Sequence, residues 1–486
     1  MHSSLPPILK TRTIVPELNA LFLGLVAVGF FQSFSDSLRS IFSFLPPPSL
    51  WGPLKFGIIL LMLGICFLRW LFGKEIRLNK GMLTWSVIWF INWLILVLLF
   101  SEGIFLNTHI SPLKTIQSFG MGNMIMVLVV YLFARPSSLF AFLKVLVWAG
   151  IAAALFGITQ SLLGPQFLAA HGIDVYSPTR FSFLDSVNPE SGHHDFTNGF
   201  RAFSFFSSHH AFSAFLVFSI VALHILYKTR KVNRIFYFIS SLCMWSGMAI
   251  TYNLTNIFTC IFILLLTEYF QSIQNYKISF QFIFKRKFWR NLISIVMLCI
   301  IVISPFESVR NRFLGIFDYS PISAGAGGSL FSRTIFIKNG LDALAENPMG
   351  LGLYHGYNKA GTGAPGYTRE NFFEENDLVF SADAYFLWLL VQIGLPCFLL
   401  YFLLMAYPVF WALKERRRLR DSHLRITFFS LLSITMVTIL MGVSNSPILV
   451  FPPSNLLIWS AIGIMLKIPS WDFNITQNIL KNENCR

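Results

Sequence analysis

The chain has 486 residues, of which 55% are hydrophobic and only 12% are charged, against roughly 25% charged residues in a soluble globular domain. This composition excludes an ordinary soluble protein. It predicts an all-α polytopic membrane protein, because apolar runs of about 20 residues, enough to cross the hydrocarbon core, recur along the sequence.

The apolar runs predict about twelve transmembrane helices. The seventh and eighth divide a run too long for one crossing at the polar break TYNLTN, residues 251–256, and the ninth is short. The first run is long enough to span and has no evident small-residue cleavage site, which favours a membrane helix over a signal peptide. The spans lie at about 14–34, 53–72, 81–100, 114–133, 138–163, 203–227, 235–251, 254–272, 291–305, 384–412, 426–446 and 449–467.

Basic residues are unevenly divided between the two sets of connecting segments. With the N-terminus inside, the inner segments hold 26 of the 37 Lys and Arg, and the outer segments hold 15 of the 22 Asp and Glu. The positive-inside rule explains this asymmetry and the net charge of +15, so we expect cytoplasmic N- and C-termini and no nucleic acid partner. Five of the six cysteines lie in predicted spans and Cys485 lies in the tail, which predicts no outer disulfide.

Two long segments leave the membrane, both on the outer side, and we expect recognition and chemistry there because the inner connections are short and basic. The chain therefore divides into spans one to five (1–163), an outer loop (164–202), spans six to nine (203–305), a large outer loop (306–383), and spans ten to twelve with the cytoplasmic tail (384–486).

The large outer loop contains a predicted amphipathic helix. It starts at Ser329 or Ser332, ends before Pro348, and has an apolar face formed by Leu330, Ile337, Leu341 and Leu344. We expect this helix to lie on the membrane surface.

Arginine residues are the first candidates for a binding site. Arg201 lies where a polar stretch enters the sixth span, a depth that costs desolvation energy unless the side chain snorkels to lipid headgroups or meets an anion. The other outer arginines considered are Arg180, Arg310, Arg312 and Arg333. Guanidinium groups fork onto phosphate oxygens, so we expect this set to bind a pyrophosphate, with a lipid phosphate as the alternative.

Two histidines follow Arg201 in the same run. On a continuous helix, Arg201, Phe205 and His209 share one face and His210 points about 100° away. Adjacent histidines on a helix do not easily chelate one metal, so we expect hydrogen-bonded interior side chains. A loop cluster of His193, His194, Glu190 and Asp195 is expected to be solvated, and no metal is predicted.

The large outer loop supplies the candidate catalytic residues. Asp383 immediately precedes the tenth span, where a carboxylate can cap the helix and also face the membrane surface. His355 is a second candidate base. Tyr354 and Tyr357 suit stacking on sugar faces, with anchoring at the membrane interface as the alternative.

Three segments, taken in order, resemble the superfamily of O-antigen polymerases and O-antigen ligases, which are bacterial polytopic membrane glycosyltransferases. GFRAFSFFSSHHAFSAFLVFSIVALHIL (199–226) resembles the family's arginine-bearing entry into a span. SRTIFIKNGLDALAENPMGLGLYHGY (332–357) resembles its outer helix ending in Asn-Pro-x-Gly-x-Gly. DAYFLWLLVQIGLPCFLL (383–400) resembles the span that follows.

The resemblance covers residues 199–412 and implies a helical fold similar to the GT-C glycosyltransferases. It implies transfer of a glycan from an undecaprenyl pyrophosphate carrier to an acceptor hydroxyl on the outer face of the bacterial inner membrane, without a cofactor. Arg201 and Arg333 would hold the pyrophosphate, with Arg180 and Arg312 as further contacts, and Asp383 would occupy the position of the ligases' catalytic histidine. Glycan or accessory contacts are assigned to His209, Asn253, Tyr354 and Tyr357.

The implied partners are an undecaprenyl-pyrophosphate-linked oligosaccharide, an acceptor glycan or glycolipid, membrane lipid, and a chain-length regulator protein. Asp383 and Ala384 stand where ligases have a His-Asn pair, which favours an O-antigen or exopolysaccharide polymerase over a ligase that attaches glycan to lipid A core or another acceptor. In a second departure from the family pattern, the break at 251–256 offers Asn253 or Thr255 in place of a Ser-Arg pair, so one phosphate contact of the family is not carried over.

Two other classes of protein are alternatives: a lipid-linked oligosaccharide flippase or transporter, and a non-catalytic assembly protein. Transporters often have two six-span halves and ionisable residues inside the spans. Here the longest loop is external and follows the ninth span, and Glu17 and Glu268 sit close to the ends of their spans. We therefore expect an enzyme.

Overall fold

The computed structural model describes residues 24, 48–71, 78–101, 121–170, 200–206, 208–272, 385–442, 447–450 and 453–483, and parts of 337–350. These residues form helices and no β-strand, which confirms the all-α class. In chain order the helices are α1 Pro48–Leu71, α2 Lys80–Ser101, α3 Met121–Phe133, α4 Pro136–Ala170, α5 His209–Lys228, α6 Arg234–Ala249, α7 Leu254–Ser272, α8 Tyr385–Glu415, α9 Ser422–Met441, α10 Pro447–Val450 and α11 Ser454–Glu483.

The helices have the length and composition of membrane spans. Five segments in the described ranges are long and apolar enough to cross a bilayer: α4, α5, α7, α9, and α8 with the 3₁₀ turn that follows it. Ten of the twelve predicted spans overlap a described helix. The ninth span, and the first apart from Gly24, lie outside the described residues. A polytopic membrane protein is therefore confirmed, and the number twelve stays a prediction.

Helix α5 is the centre of the assembly, since 17 of its 20 residues are buried. It contacts α4, α6, α7, α9 and α11. Small residues allow close approach on the α4 side: a methyl group at Gly157 would lie 2.7 Å from the Phe212 ring, and one at Gly247 of α6 would lie 2.8 Å from the Ala154 side chain. Glycine at such contacts is a common way to pack membrane helices.

Several helix boundaries differ from the predicted spans, and three of the differences have an identifiable reason. Helix α4 breaks at Gly164 (φ 78°, ψ 168°) before Pro165 and then continues to Ala170, seven residues into the predicted outer loop. Helix α5 begins at residue 209 and not at 203. Helix α11 continues past residue 467 to Glu483, because hydropathy marks where a helix leaves the lipid and not where it ends.

Helix ends assigned to the same side of the membrane contact one another. On the predicted outer side, Ala202 N donates to Ile250 O at 3.2 Å, and Phe386 N donates to Gly442 O at 3.0 Å. On the predicted inner side, the Asn79 amide donates to Leu466 O at 2.7 Å. These contacts support the predicted alternation of helix directions. We call the two sides of the bundle the Arg201 end and the Lys228 end.

Candidate functional site

The segment 200–208 leads into α5 and is held against α4 at the Arg201 end. Leu168, after the break in α4, and Phe203 are both buried and pack together, with Phe200 and Ala169 beside them. The last turn of α4 and the start of this segment, which are the two described ends of the outer loop, are therefore fixed against each other.

Gln160 of α4 holds the middle of this segment through two hydrogen bonds to one backbone unit. Its Oε1 accepts from Ser204 N at 2.7 Å, and its Nε2 donates to Ser204 O at 2.9 Å. The Ser204 hydroxyl donates to Ala153 O at 2.7 Å. These bonds stabilise Ser204 in the left-handed region (φ 52°), which is uncommon for residues other than glycine.

Helix α5 begins at His209 because Ser208 caps it. Ser208 is extended (φ −153°), and its hydroxyl accepts from Ala211 N at 3.2 Å, as expected for an N-cap serine. The prediction that Arg201, Phe205 and His209 share a helical face is therefore wrong, because residues 201–206 and Ser208 are not helical. Phe205 instead stacks on Phe156 of α4, with ring centroids 4.1 Å apart.

Arg201 nevertheless reaches His209, by a turn of the chain and not by helical spacing. Its Nη1 lies 3.1 Å from His209 Nε2, and the two residues are 8% and 1% exposed. A guanidinium can only donate, so His209 Nε2 accepts, and the proton of the neutral ring lies on Nδ1. The contact orients the guanidinium without neutralising its charge.

The turn between α6 and α7 forms the opposite wall of the site. Tyr252 has a positive φ of 53°, and Asn253 caps α7: its Oδ1 accepts from Asn256 N at 3.3 Å. The Thr251 hydroxyl donates to Met248 O at 2.7 Å and accepts from Asn253 N at 3.3 Å. The polar break predicted at residues 251–256 is therefore a capped turn.

The Asn253 side chain links this turn to the histidine pair. Its Nδ2 lies 2.9 Å from His210 Nδ1 and donates to Ser213 Oγ at 3.1 Å. Because the cap fixes Oδ1 toward Asn256 N, the amide nitrogen faces His210, whose Nδ1 therefore accepts and whose neutral ring carries its proton on Nε2. The two imidazoles, 3.9 Å apart between centroids, are held as opposite tautomers.

Asn256 completes the network. Its Nδ2 donates to Ser213 Oγ at 2.7 Å, and the Ser213 hydroxyl donates to His210 O at 3.1 Å. Among the described residues nothing donates to Asn256 Oδ1, which is buried. A buried acceptor left open costs about 1–3 kcal/mol, so this oxygen suits a ligand hydroxyl or an ordered water.

Sequence reasoning missed His210, Gln160, Ser213 and Asn256 as members of this site. Helical geometry turns His210 away from the direction of His209, and that direction leads to Asn253. Gln160 could have been identified from the sequence, since it is an amide inside a mostly apolar span, and polar side chains in spans usually pair with other polar groups.

A second fixed contact at the Arg201 end joins the large outer loop to α8. Gly350 (φ 95°) and Gly394 (φ 72°) lie backbone against backbone. A methyl group at Gly350 would lie 2.7 Å from Gln392 O, and one at Gly394 would collide with the carbonyl of Met349. The Leu395 N–H, after the break in α8, donates to Pro348 O at 3.0 Å. One backbone contact therefore requires glycine at both Gly350 and Gly394, which lie in the two segments 332–357 and 383–400 that resemble the family.

The predicted amphipathic helix is seen in part. Ile337 and residues 340–342 and 344–345 are helical. Its predicted apolar face is divided: Leu344 packs on Val391 of α8, while Ile337 and Leu341 are 42% and 52% exposed. Gly340 contacts Leu387. The exposed part is consistent with the predicted position on the membrane surface, which stays a prediction.

Most of the predicted site residues lie outside the described residues, and their positions are not tested. They are Arg180, Arg310, Arg312, Arg333, Tyr354, His355, Tyr357 and Asp383. Of the predicted site residues, the structure describes Arg201, His209 and Asn253, and places them close together: Arg201 bonds to His209, whose ring lies against that of His210, to which Asn253 bonds. Within the described ranges, no three His, Cys, Asp or Glu side chains come together as metal ligands would.

Comparison with known proteins bears on the two later motifs. Residues 276–402 match the family model described as O-antigen ligase, and this range contains 332–357 and 383–400. A search of curated proteins gives no significant match. The segment that carries Arg201 precedes the matched range and joins it through the packing of α5 and α7 against α9 and of α8 against α9. The matched region confirms, for this part of the chain, the resemblance to the superfamily of O-antigen ligases and polymerases that the sequence showed.

Proposed function

We propose that the chain is a membrane glycosyltransferase that polymerises undecaprenyl-pyrophosphate-linked oligosaccharide repeats on the outer face of the bacterial inner membrane. Two observations support this function. Residues 276–402 match the family model described as O-antigen ligase, and a buried guanidinium, that of Arg201, is oriented by a neutral imidazole at one end of a membrane helix. The buried Arg201 guanidinium is the observation on which the proposed location of the active site depends.

The chemistry requires such a guanidinium. Displacing a pyrophosphate from an anomeric carbon makes the leaving group more negative while the sugar becomes more like an oxocarbenium ion. A donor fixed in advance at the leaving phosphates stabilises that charge in a partly dry site, and one such donor can contribute roughly 2.7–4 kcal/mol. Arg201 is assigned to this role, and Arg333, Arg180 and Arg312 are proposed as further phosphate contacts.

The neutral residues of the site take positioning and glycan-binding roles. His209 accepts from Arg201, so it orients the guanidinium. Asn253 donates to His210, so it fixes the ring whose Nε2–H can donate to a sugar oxygen. The open Asn256 Oδ1 can accept from a sugar hydroxyl, and Tyr354 and Tyr357 are proposed to stack on the glycan.

Asp383 is proposed as the base that receives the acceptor hydroxyl proton, with His355 as the second candidate. A carboxylate is a weak base in water, but the hydroxyl proton needs to leave only as the glycosidic bond forms. Residue 383 precedes α8 by two positions. The contact between Gly350 and Gly394 attaches the loop that carries His355 to the same helix.

An O-antigen ligase is the second candidate function, and the description of the matched family favours it. A ligase would transfer the completed glycan to lipid A core or another acceptor, whereas a polymerase would join carrier-linked repeats. Both reactions break the same bond to pyrophosphate and would use Arg201 in the same way.

The test is a transfer assay with the purified full chain in proteoliposomes and undecaprenyl-pyrophosphate-linked oligosaccharide. A polymerase extends the carrier-linked glycan into a ladder without another acceptor, and a ligase needs a separate acceptor. Movement of the glycan lipid across the bilayer with no new glycosidic bond would indicate a flippase and contradict the proposal. Asp383→Asn is expected to abolish transfer in a folded protein, and full activity would exclude Asp383 as the base.

In cells, the glycans that remain after deletion of the protein distinguish a polymerase from a ligase. Single-repeat glycan on its normal acceptor indicates a lost polymerase. Long chains that accumulate on the carrier indicate a lost ligase. A chain-length regulator is a proposed partner only for the polymerase.

A further inference from the structure

The loop from α8 to α9, at the Lys228 end, is strongly basic and takes no part in the proposed reaction. Residues 414–425 contain six basic and two acidic side chains, a net charge of +4. Lys414, Arg417, Arg418 and Arg420 are exposed, and the Arg418 side chain is 75% exposed even though it pairs with Glu415 at 3.0 Å. The loop therefore presents several cations at the surface.

The backbone of this loop is anchored from both sides. Leu419, between the arginines, is buried in the core at 5% exposure. Asp472 of α11 is 4% exposed, and its carboxylate accepts from Arg420 N at 3.0 Å and Asp421 N at 2.7 Å. Asp421 then caps α9 by accepting from Leu424 N at 2.8 Å. The exposed arginines are thus carried on a fixed backbone.

We propose that residues 414–420 form a binding surface for the headgroups of anionic phospholipids. The loop joins two helices long enough to cross a membrane, so it lies at the depth of the headgroups. Guanidinium groups fork onto phosphate oxygens, and a fixed backbone preserves the spacing that such two-pronged contacts need. This inference is independent of the proposed function.

Lipid retention by the purified full chain tests the surface. The protein is equilibrated with equal amounts of phosphatidylglycerol and phosphatidylcholine, and native mass spectrometry counts the lipids bound. Changing Arg417→Gln together with Arg420→Gln is expected to lower the ratio of phosphatidylglycerol to phosphatidylcholine, by roughly fivefold for each charge removed.

A matched control removes two exposed cations from the same end of the bundle. Arg230 lies in the turn between α5 and α6, Arg234 is the first residue of α6, and both are exposed. Changing Arg230→Gln together with Arg234→Gln is expected to change the lipid ratio by about twofold or less. An equal loss in the two double variants would indicate net charge alone and overturn the assignment to this loop. Folding of each variant is checked by monodisperse elution.

The Asp472→Asn variant tests whether lipid binding depends on the anchored backbone of the loop or only on its net charge. The change removes a negative charge next to the loop, but an asparagine has one acceptor oxygen for two backbone N–H groups. We expect the preference for phosphatidylglycerol to fall even though the loop becomes more positive, and a rise would contradict the proposal. Displacement of phosphatidylglycerol by inorganic phosphate, beyond that caused by chloride at equal ionic strength, would assign the site to free phosphate and overturn the lipid assignment.

Discussion

The two ends of the same helix bundle hold their polar residues by different means. At the Arg201 end, three of the described hydrogen bonds join neutral partners to the site: His209 accepts from Arg201, and Asn253 donates to His210 and Ser213. At the Lys228 end, Glu268 of α7 pairs with Lys228 of α5 and lies 3.2 Å from His224 Nε2.

From this difference we infer that the charges of Glu268 and Lys228 stabilise the fold, whereas the charge of Arg201 is available to a ligand. An ion pair uses each charge to satisfy the other and fixes two helices together. A neutral imidazole that accepts from a guanidinium fixes its direction while its positive charge persists. We therefore expect changes at the Arg201 end to affect catalysis and changes at the Lys228 end to affect stability.

The largest effect is expected from Arg201→Ala. Loss of the guanidinium at the leaving pyrophosphate should lower the rate of transfer about 10²–10³-fold, measured as turnover of carrier-linked glycan in proteoliposomes. Arg201→Lys keeps the charge but lacks the forked donor geometry, so its rate should fall between those of the wild type and the alanine variant. Equal transfer rates for Arg201→Ala and wild type would contradict the claim that the Arg201 end serves catalysis and the Lys228 end serves stability.

The next largest effect is expected from Gly394→Ala, which tests the backbone contact at the Arg201 end. The added methyl group strains a residue with φ 72° and collides with Met349, so unfolding should become easier by about 3 kcal/mol. Gly164 is the matched control, because its φ is 78° and nothing lies within 4 Å of an added methyl group. Gly164→Ala carries the backbone strain alone, about 1–3 kcal/mol, and should cost less than Gly394→Ala. Equal shifts in thermal unfolding would show that collision with the outer loop contributes nothing.

Gln160→Leu and Glu268→Gln compare the two ends by their response to salt. Gln160→Leu leaves a buried backbone N–H and C=O without partners and should cost about 2 kcal/mol of stability at any salt concentration. Glu268→Gln breaks a partly exposed ion pair and should cost about 1 kcal/mol at low salt and less at high salt. Thermal unfolding at two salt concentrations checks both, and the same salt response in both variants would contradict the distinction.

The smallest effects on stability are expected from changes at Asn253. Two variants distinguish its role as the cap of α7 from its hydrogen bond to His210. Asn253→Ala loses the cap of α7 and should cost about 1 kcal/mol. Asn253→Asp keeps an oxygen for the cap but has no amide to donate to His210 and Ser213. We expect normal thermal stability with reduced transfer for the aspartate variant. Normal transfer would show that the link to His210 has no part in catalysis.

The helices could be predicted from the sequence because a chain in lipid must satisfy its backbone within each span. The first turn of the sixth predicted span could not. Residues 203–206 are Phe-Ser-Phe-Phe and suit an apolar helix, but Gln160, 44 positions away, holds Ser204 in the left-handed region. A hydropathy pattern contains no information about hydrogen bonds to a residue so distant in the sequence.

The site shows the same division. Arg201 and His209 were predicted to be neighbours through helical spacing, and they are neighbours through a non-helical turn. Asn253 was identified from the break between two spans, but its contact with His210 joins residues 43 apart and depends on the packing of α5 against α7. Residue type and polarity indicated the members of the site, and tertiary packing determined their partners.

Binding of undecaprenyl pyrophosphate to the purified full chain tests the central claim most directly. We expect Arg201→Ala to weaken the affinity at least tenfold, while Arg234→Ala, which removes an exposed arginine from the Lys228 end, leaves the affinity unchanged. Wild-type affinity in folded Arg201→Ala protein would show that the buried guanidinium does not hold the diphosphate, and would contradict the account.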